Sequence, residues 1–396
     1  MIPKSWKLKP LSEVADVQTG IAKGGRRITD TISLPYLRVA NVQDGYLDLS
    51  YIKNIEVEKS KIERYMLKYG DVLLTEGGDF DKLGRGAVWK DKIKNCLHQN
   101  HVFAVRPNTD LIISEFLSIL TGSQYGKTYF LKCSKQSTNL ASINSSQLKE
   151  FPVLLPPINE QLAIVELIST WDITVEKIEQ LIKAKEIYYT WLLSQVMSNS
   201  NCPRIHIRDV AREISSKNKN KNIDLVLSVT NKNGFVLPED HFERRVASSD
   251  LSNYKIVTKG QYAYNPSRIN VGSIARLDKW DEGVLSPMYV VFELDKTKVM
   301  SDYFLHWLNS DEAKQRISKS VQGSVRETVN FDDFGAILIP LPSIKQQTAV
   351  VEVLNSIQRE VNFLKKQLEA YRKQKQGLMQ KLLTGKWHIK AKKIIQ

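Results

Sequence analysis

Cysteine is scarce in this chain: Cys96, Cys133 and Cys202 are the only three in 396 residues, and they are scattered singly. So sparse a set excludes a disulfide framework and fits a reducing compartment. Long apolar runs are missing as well. No stretch approaches the roughly 20 residues that cross a bilayer, and the opening MIPKSWKLKPLSEVADV lacks the continuous apolar segment of a secretion signal. The expected compartment is therefore the cytoplasm, with no membrane partner. Acidic residues also fall short, with 43 Asp and Glu against 57 Lys and Arg, a formal net charge of +14. That excess favours a polyanionic partner, the plainer alternative being a lysine-rich surface with no partner at all.

Catalytic signatures are equally thin. GSQYGKT at 122–128 has three residues between its glycines where a phosphate loop needs four. CLHQNH places Cys96, His98 and His101 close together, but a structural zinc wants a fourth ligand and a second cluster, and there is none. YNPSR from Tyr264 resembles the Asn-Pro-Pro-aromatic motif of amino-methyltransferases, yet the second proline and the aromatic residue are absent. No Ser-His-Asp set, nuclease carboxylate cluster or helicase motif stands out. The chain reads as non-catalytic by itself, with no catalytic, cofactor-binding or metal-binding residue.

What is present is written twice. VLLPPINEQLAIVELI from Val153 and LIPLPSIKQQTAVVEVL from Leu338 share their anchors: Ile158 and Ile344, like Gln161 and Gln347, are 186 residues apart. Upstream, Glu13-Val14-Ala15 faces Asp209-Val210-Ala211 at an offset of 196, so the first copy carries about ten extra residues in its middle, a difference that loops absorb. Between these points YLRVANVQDGYLD parallels LVLSVTNKNGFVL, and GDVLLTEGGDFDKLGRGAVW parallels GQYAYNPSRINVGSIARL, each reading as strand, polar corner, strand. The length suits two or three domains.

After each copy an apolar heptad pattern begins. In the first it runs Ile168, Trp171, Val175, Ile178, Ile182, Tyr189, Leu192, Val196; in the second Leu354, Ile357, Val361, Leu364, Leu368, Tyr371, Leu378, Leu382. Neither stretch contains proline, and each predicts a helix of about 40 residues, about 60 Å long. Ser343 with Gln346 three residues later is a capping-box pattern. Two such helices in one chain can cover each other as an antiparallel pair, although docking on their own domains or a homodimer would also bury the seams. The expected fold is α+β (mixed α/β): two similar globular domains joined by two long antiparallel coiled-coil helices, with a pseudo-twofold internal repeat. The boundaries read as a first domain at 1–155, a spacer helix at 156–199, a second domain at 200–341, a second helix at 342–386 and a basic tail at 387–396.

The corner loops offer side chains suited to nucleic acid, the plainer alternative for any one of them being an ordinary solvated loop. In the first copy they are Lys23, Arg26 and Arg27, then Asn41, then Glu76, Lys82 and Arg85, then Gln136, Ser137, Thr138 and Asn139. In the second they are Asn231, Lys232 and Asn233, then Asn265, Arg268 and Asn270, then Gln322, Ser324 and Arg326. Arg pairs with guanine, Asn and Gln with adenine, and Glu with cytosine, while Lys and backbone amides hold phosphates. The same loops are polar in both copies while their identities differ.

The two-copy layout, the LPPI and LPSI joints with their glutamines, the heptad helices and the terminal LMQKLLTG resemble the specificity subunit of type I restriction-modification systems over essentially the whole chain. The resemblance implies two target recognition domains, each reading half of a bipartite, gapped double-stranded DNA site. It also implies a helical spacer that docks two methyltransferase subunits, with restriction subunits joining through them. S-adenosylmethionine would then belong to the methyltransferase partner, which methylates adenine N6, and ATP with Mg²⁺ to the restriction partner. Two alternatives stay open from the residues: a specificity subunit whose partner fuses methyltransferase and nuclease, or a free-standing DNA-binding or coiled-coil scaffold.

Overall fold

The computed structural model describes residues 3–22, 30–136, 140–198, 202–220, 222–240, 250–322 and 328–389. The chain divides into two compact units, Met1–Ile178 with Gln367–Gln396, and Glu179–Lys366. The division therefore falls inside the two long helices and not at their ends. Both units mix helix and strand, an α+β architecture.

Unit 1 is built on a four-stranded antiparallel sheet of β1 (Ala15–Thr19), β2 (Val72–Thr75), β3 (Gly86–Val88) and β4 (Val102–Pro107), in the order β1-β4-β2-β3. Strand alternation sends successive side chains to opposite faces, and here both faces are covered. Val72, Leu74, Phe103 and Val105 pack with Phe116, Leu117 and Leu120 of helix α1 (Ser114–Gly122) and Phe130 of helix α2 (Gln124–Cys133). Leu73, Val102 and Ala104 point the other way, into a smaller core with Leu37, Val42 and Trp89. A short ribbon closes the unit: Lys7–Pro10 pairs with Pro152–Leu155, delivering the chain to the first long helix, α3 (Ile158–Met197).

Unit 2 repeats this plan. Its sheet runs β5-β8-β6-β7, with β5 (Ala211–Ile214), β6 (Tyr262–Tyr264), β7 (Ile274–Arg276) and β8 (Val290–Leu294). Tyr262, Tyr264, Val290 and Phe292 meet helix α4 (Ser301–Asn309) and helix α5 (Asp311–Gln322), while Ala263 and Val291 enter a separate cluster. Arg204–His206 pairs with Leu338–Pro340 ahead of the second long helix, α6 (Ile344–Leu383).

Each long helix has 40 residues, about 60 Å. The Ser343–Gln346 capping box is formed, with Ser343 N–H donating to Gln346 Oε1 at 3.1 Å and Gln346 N–H to Ser343 Oγ at 3.4 Å. At the far end of α6, Gly385 takes a left-handed φ of 69° and returns its N–H to Leu382, a glycine helix stop. A Cβ there would meet the Pro3 ring at 2.4 Å.

The helices run antiparallel within each unit. In unit 1, Trp171 meets Tyr371 edge-on at 5.7 Å, Asp172 pairs with Lys375, and Ile164 and Ile168 share a core with Leu382 and Leu383. In unit 2, Lys185 pairs with Glu360 at 2.9 Å, Glu186 with Lys365 at 2.7 Å, and Leu193 and Met197 share a core with Val351 and Leu354. Ile182, Leu354, Ile357, Val361, Leu364 and Leu368 are buried, whereas Trp171, Val175, Ile178, Leu192 and Leu378 are half-buried. Leu193 and Met197, absent from the heptad reading, carry the deepest burial at that end of α3.

Two sequence features find their reason here. The glycine of GSQYGKT sits where α2 turns against α1, and a Cβ on Gly126 would lie 2.2 Å from the Thr121 carbonyl oxygen. Ser123 caps α2 on the Gly126 N–H, as Ser310 Oγ accepts from Ala313 N–H at 3.1 Å in unit 2. The segment is a helix corner.

Candidate nucleic-acid interface

The polar loops of unit 1 are joined by backbone pairing at one end of its sheet. Glu76, directly after β2, donates its N–H to the His101 carbonyl at 3.0 Å, and its carboxylate holds His101 Nδ1 at 2.5 Å. The Glu76 carbonyl accepts from Ile143 N–H at 2.9 Å. Gly77–Gly78 then pairs with Ala141–Ser142, which pairs with Lys135–Gln136. The segments bearing Glu76 and Gln136 thus flank Ala141–Ser142 in one three-stranded ribbon. On the other flank Ile21 bridges to Gln99, and Asn100 N–H donates to the Ile21 carbonyl at 3.0 Å, so the segment after β1 lies beside Gln99 and Asn100.

A second contact ties in the corner that follows Leu37. Arg85 donates to Gln43 Oε1 at 3.0 Å, and Gln43 Nε2 donates to the Ala40 carbonyl at 2.8 Å, so the guanidinium is oriented by a side chain fixed at both ends. Arg38 lies over the Tyr51 ring at 5.5 Å, Lys53 approaches the same ring at 5.8 Å, and Tyr46 and Tyr51 are exposed. Basic groups interleaved with exposed aromatics suit a nucleic-acid surface. The sequence reading missed Gln43, Arg38, Tyr46 and Tyr51, although Gln43 stands two residues after Asn41 in the same quoted corner.

Unit 2 brings its corresponding loops together in the same manner. Asn231–Asn233 form the exposed turn between Ser228–Thr230 and Gly234–Val236. Asn231 Cβ lies 3.6 Å from where a Cβ on Gly272 would be, and Ser273 Oγ donates to the Val229 carbonyl at 2.7 Å. Val329 N–H donates to the Pro266 carbonyl at 3.1 Å, so the chain resuming after 323–327 is tied to the Asn265–Asn270 loop.

The sequence-derived residues fare differently. Lys232, Arg268 and Asn270 are exposed on this end of unit 2. Asn265 Oδ1 accepts from the Ser267 N–H at 3.0 Å. Gln136 is exposed but leans back on the Leu131 carbonyl at 2.9 Å, and Lys82 is paired with Asp79. Lys23, Arg26, Arg27, Ser137, Thr138, Asn139, Ser324 and Arg326, with the side chain of Gln322, lie outside the described residues.

Asn41 is a correction. It is 3% exposed; its Oδ1 accepts from Arg38 N–H, and its Nδ2 donates to the carbonyls of Asp48 and Tyr51. It builds the corner and has no amide edge left for a base.

The zinc-like cluster is likewise dispersed into structural roles. Burial pushes the Cys96 thiol up to about 12, and burial depresses His98, whose Nδ1 is bonded to the Tyr65 carbonyl at 3.1 Å. Among the described residues no three His, Cys, Asp or Glu side chains are grouped to hold a metal ion. No helix among them is long and apolar enough to cross a membrane.

Residues 3–186 match the family model of the type I restriction modification DNA specificity domain. The chain is 23% identical to a putative type I restriction enzyme MjaX specificity subunit of Methanocaldococcus jannaschii, over 98% of this chain and 95% of that one. It is 29% identical to the EcoKI specificity subunit of Escherichia coli over 36% of this chain and 32% of the relative. The fold is shared with the HsdS subunit of Thermoanaerobacter tengcongensis at a TM-score of 0.56 and 16% identity, covering 98% of both chains. A solved chain from work on assembly and conformational transition of the type I restriction-modification system superposes at 0.64 with 15% identity, over 98% of this chain and 100% of that one. By the domain match over residues 3–186 and the whole-length relative, the chain is similar to the DNA specificity subunits of type I restriction-modification systems, whose fold it shares.

Proposed function

We propose that each unit reads one half of a bipartite, gapped site in double-stranded DNA, and that the two long helices dock two methyltransferase subunits and set the gap. The observation that carries this is the convergence, within each unit, of polar loops of different composition at the same end of the same four-stranded sheet. Shared scaffolding with divergent loops is how one fold serves two sequences. For docking, the support is apolar surface left outside the seam: Ile187, Tyr188 and Trp191 on α3 are exposed, and the two aromatic rings stack at 5.9 Å. Such side chains are enriched at interface centres.

Under this reading the chain contributes recognition and geometry, and no catalytic group. S-adenosylmethionine and the chemistry at adenine N6 reside on the methyltransferase partner; ATP and Mg²⁺ serve restriction subunits that join through it, in the cytoplasm. The test is to map modified adenine genome-wide in cells that carry or lack this gene while keeping the methyltransferase gene. One gapped, two-part motif should lose modification on both strands. An unchanged pattern with the protein well expressed would overturn the proposal.

A further inference from the structure

Both units carry an exposed apolar side chain on a pinned turn at the same place in the sheet. The turn lies in the loop between β2 and β3 in unit 1, and between β6 and β7 in unit 2. In the first loop Phe80 is 40% exposed on the turn Phe80–Lys82. Thr75 Oγ1 holds the Lys82 carbonyl at 2.9 Å, Lys82 N–H returns to the Asp79 carbonyl at 2.8 Å, and buried Leu83 anchors the loop to the core. In the second, Val271 is 59% exposed on the turn Ile269–Val271. Arg268 N–H donates to Asn265, Val271 and Ser273 N–H to Arg268, and buried Ile269 is the anchor. Gly272 supplies the left-handed step at φ 93° that closes this turn.

A single exposed apolar residue is ordinary on a protein surface. Here one stands on the pinned turn of each of two corresponding loops whose other residues differ, at the start of the turn in unit 1 and at its end in unit 2. In both cases it stands among polar side chains: Lys82 and Arg85 in one loop, Arg268 and Asn270 in the other. The turns hold it in place before any partner arrives, which lowers the ordering cost of a contact. The major groove of DNA has one apolar feature, the C5-methyl of thymine, and apolar side chains recognise it.

We infer that Phe80 and Val271 are specificity-determining residues, each packing on a thymine C5-methyl in the half-site its own unit reads. The inference rests on the reading of these loop clusters as the DNA faces.

The test uses the chain assembled with its methyltransferase partner and duplexes carrying the mapped target. Each thymine is replaced in turn by deoxyuridine, which removes only the methyl group, and affinity is measured by competition. One thymine in each half-site should show a penalty of about three- to five-fold, the scale of one buried methyl group. Val271→Ala should erase that penalty in one half-site and leave it in the other, and Phe80→Ala should do the reverse. The untouched half-site reports in each case that the protein is folded. No sensitive thymine, or a penalty that survives both substitutions, overturns the inference. If Arg268→Ala weakens binding while the deoxyuridine penalty survives Val271→Ala, only the methyl contact is wrong. If Arg268→Ala and Val271→Ala both leave the second half-site unaffected, the loop does not face DNA and the underlying reading falls with it.

Discussion

His306 is bonded at both ring nitrogens, with Nδ1 2.9 Å from the Tyr189 hydroxyl and Nε2 2.9 Å from Asn355 Oδ1. Asn355 Nδ2 donates to Asp302, which fixes the amide, so Nε2 carries the proton and Nδ1 accepts from Tyr189. Gln358 Nε2 donates to the same hydroxyl at 3.1 Å, leaving little room for a second imidazolium proton. Burial holds the His306 pKa below its ordinary value, against the hydrogen bond to Asn355 and the charge of Asp302, which raise it; nearby Arg276 lowers it further. A histidine that is harder to protonate folded than unfolded leaves the unfolded state with more bound protons. Stability is therefore full above the unfolded value of about 6.5 and falls as pH drops below it toward the folded pKa. Urea midpoints measured from pH 7.5 to 5 should decline, and His306→Gln should flatten the decline; parallel profiles would refute the assignment. Buried His98, depressed in the same direction, sets the slope that remains in the variant. The same scale marks a limit of sequence reading. Asn41 resembled a base reader because it stands in a polar corner, but its partners are backbone groups of Asp48 and Tyr51, brought round by a fold-back that no local pattern announces.

At the scale of elements, the repeated joint owes its glutamine to a three-point clamp. Gln161 is fully buried; its Oε1 accepts from Ile113 N–H at 3.0 Å, and its Nε2 donates to the carbonyls of Leu111 and Pro156, both at 2.9 Å. Gln347 does the same with Met300 N–H at 2.8 Å and the carbonyls of Lys298 and Pro342 at 3.0 and 2.9 Å. In each unit one side chain thus ties the start of a long helix to the segment leading into α1 or α4. Gln161→Ala or Gln347→Ala leaves three buried backbone groups without partners, at about 1 kcal/mol or more each. Either variant should lose roughly 2–4 kcal/mol in urea unfolding, whereas removal of the exposed neighbour, Gln346→Ala, should cost about 1 kcal/mol or less. Equal losses for Gln346 and Gln347 would remove the clamp's significance. The joints and the heptad seams were legible because their signal is local and periodic. The ribbon of Gly77–Gly78, Lys135–Gln136 and Ala141–Ser142 was not, since two-residue strands from distant segments carry no periodicity. The same holds for Leu193 and Met197, which take the buried positions one residue past Leu192 and Val196.

For the whole molecule, the duplication was legible as a residue offset that shifts only from 196 to 186 along the repeat, but the boundary between units was not, because it falls within two unbroken helices. That continuity is what a spacer requires. A loop of the same length would let the gap vary, while a helix adds a fixed 1.5 Å per residue. If α3 and α6 set the gap, then four residues of helix inserted after Tyr188 add about 6 Å, comparable to about two base pairs at 3.4 Å each. None of the loop residues of either unit is altered by that insertion. Adenine-methylation mapping should accordingly return the same two half-sites with the gap changed by about one to three base pairs. A changed half-site sequence with the original gap would show that the helices do not act as the spacer, and that the distance between half-sites is set by the recognition loops or by the methyltransferase partner.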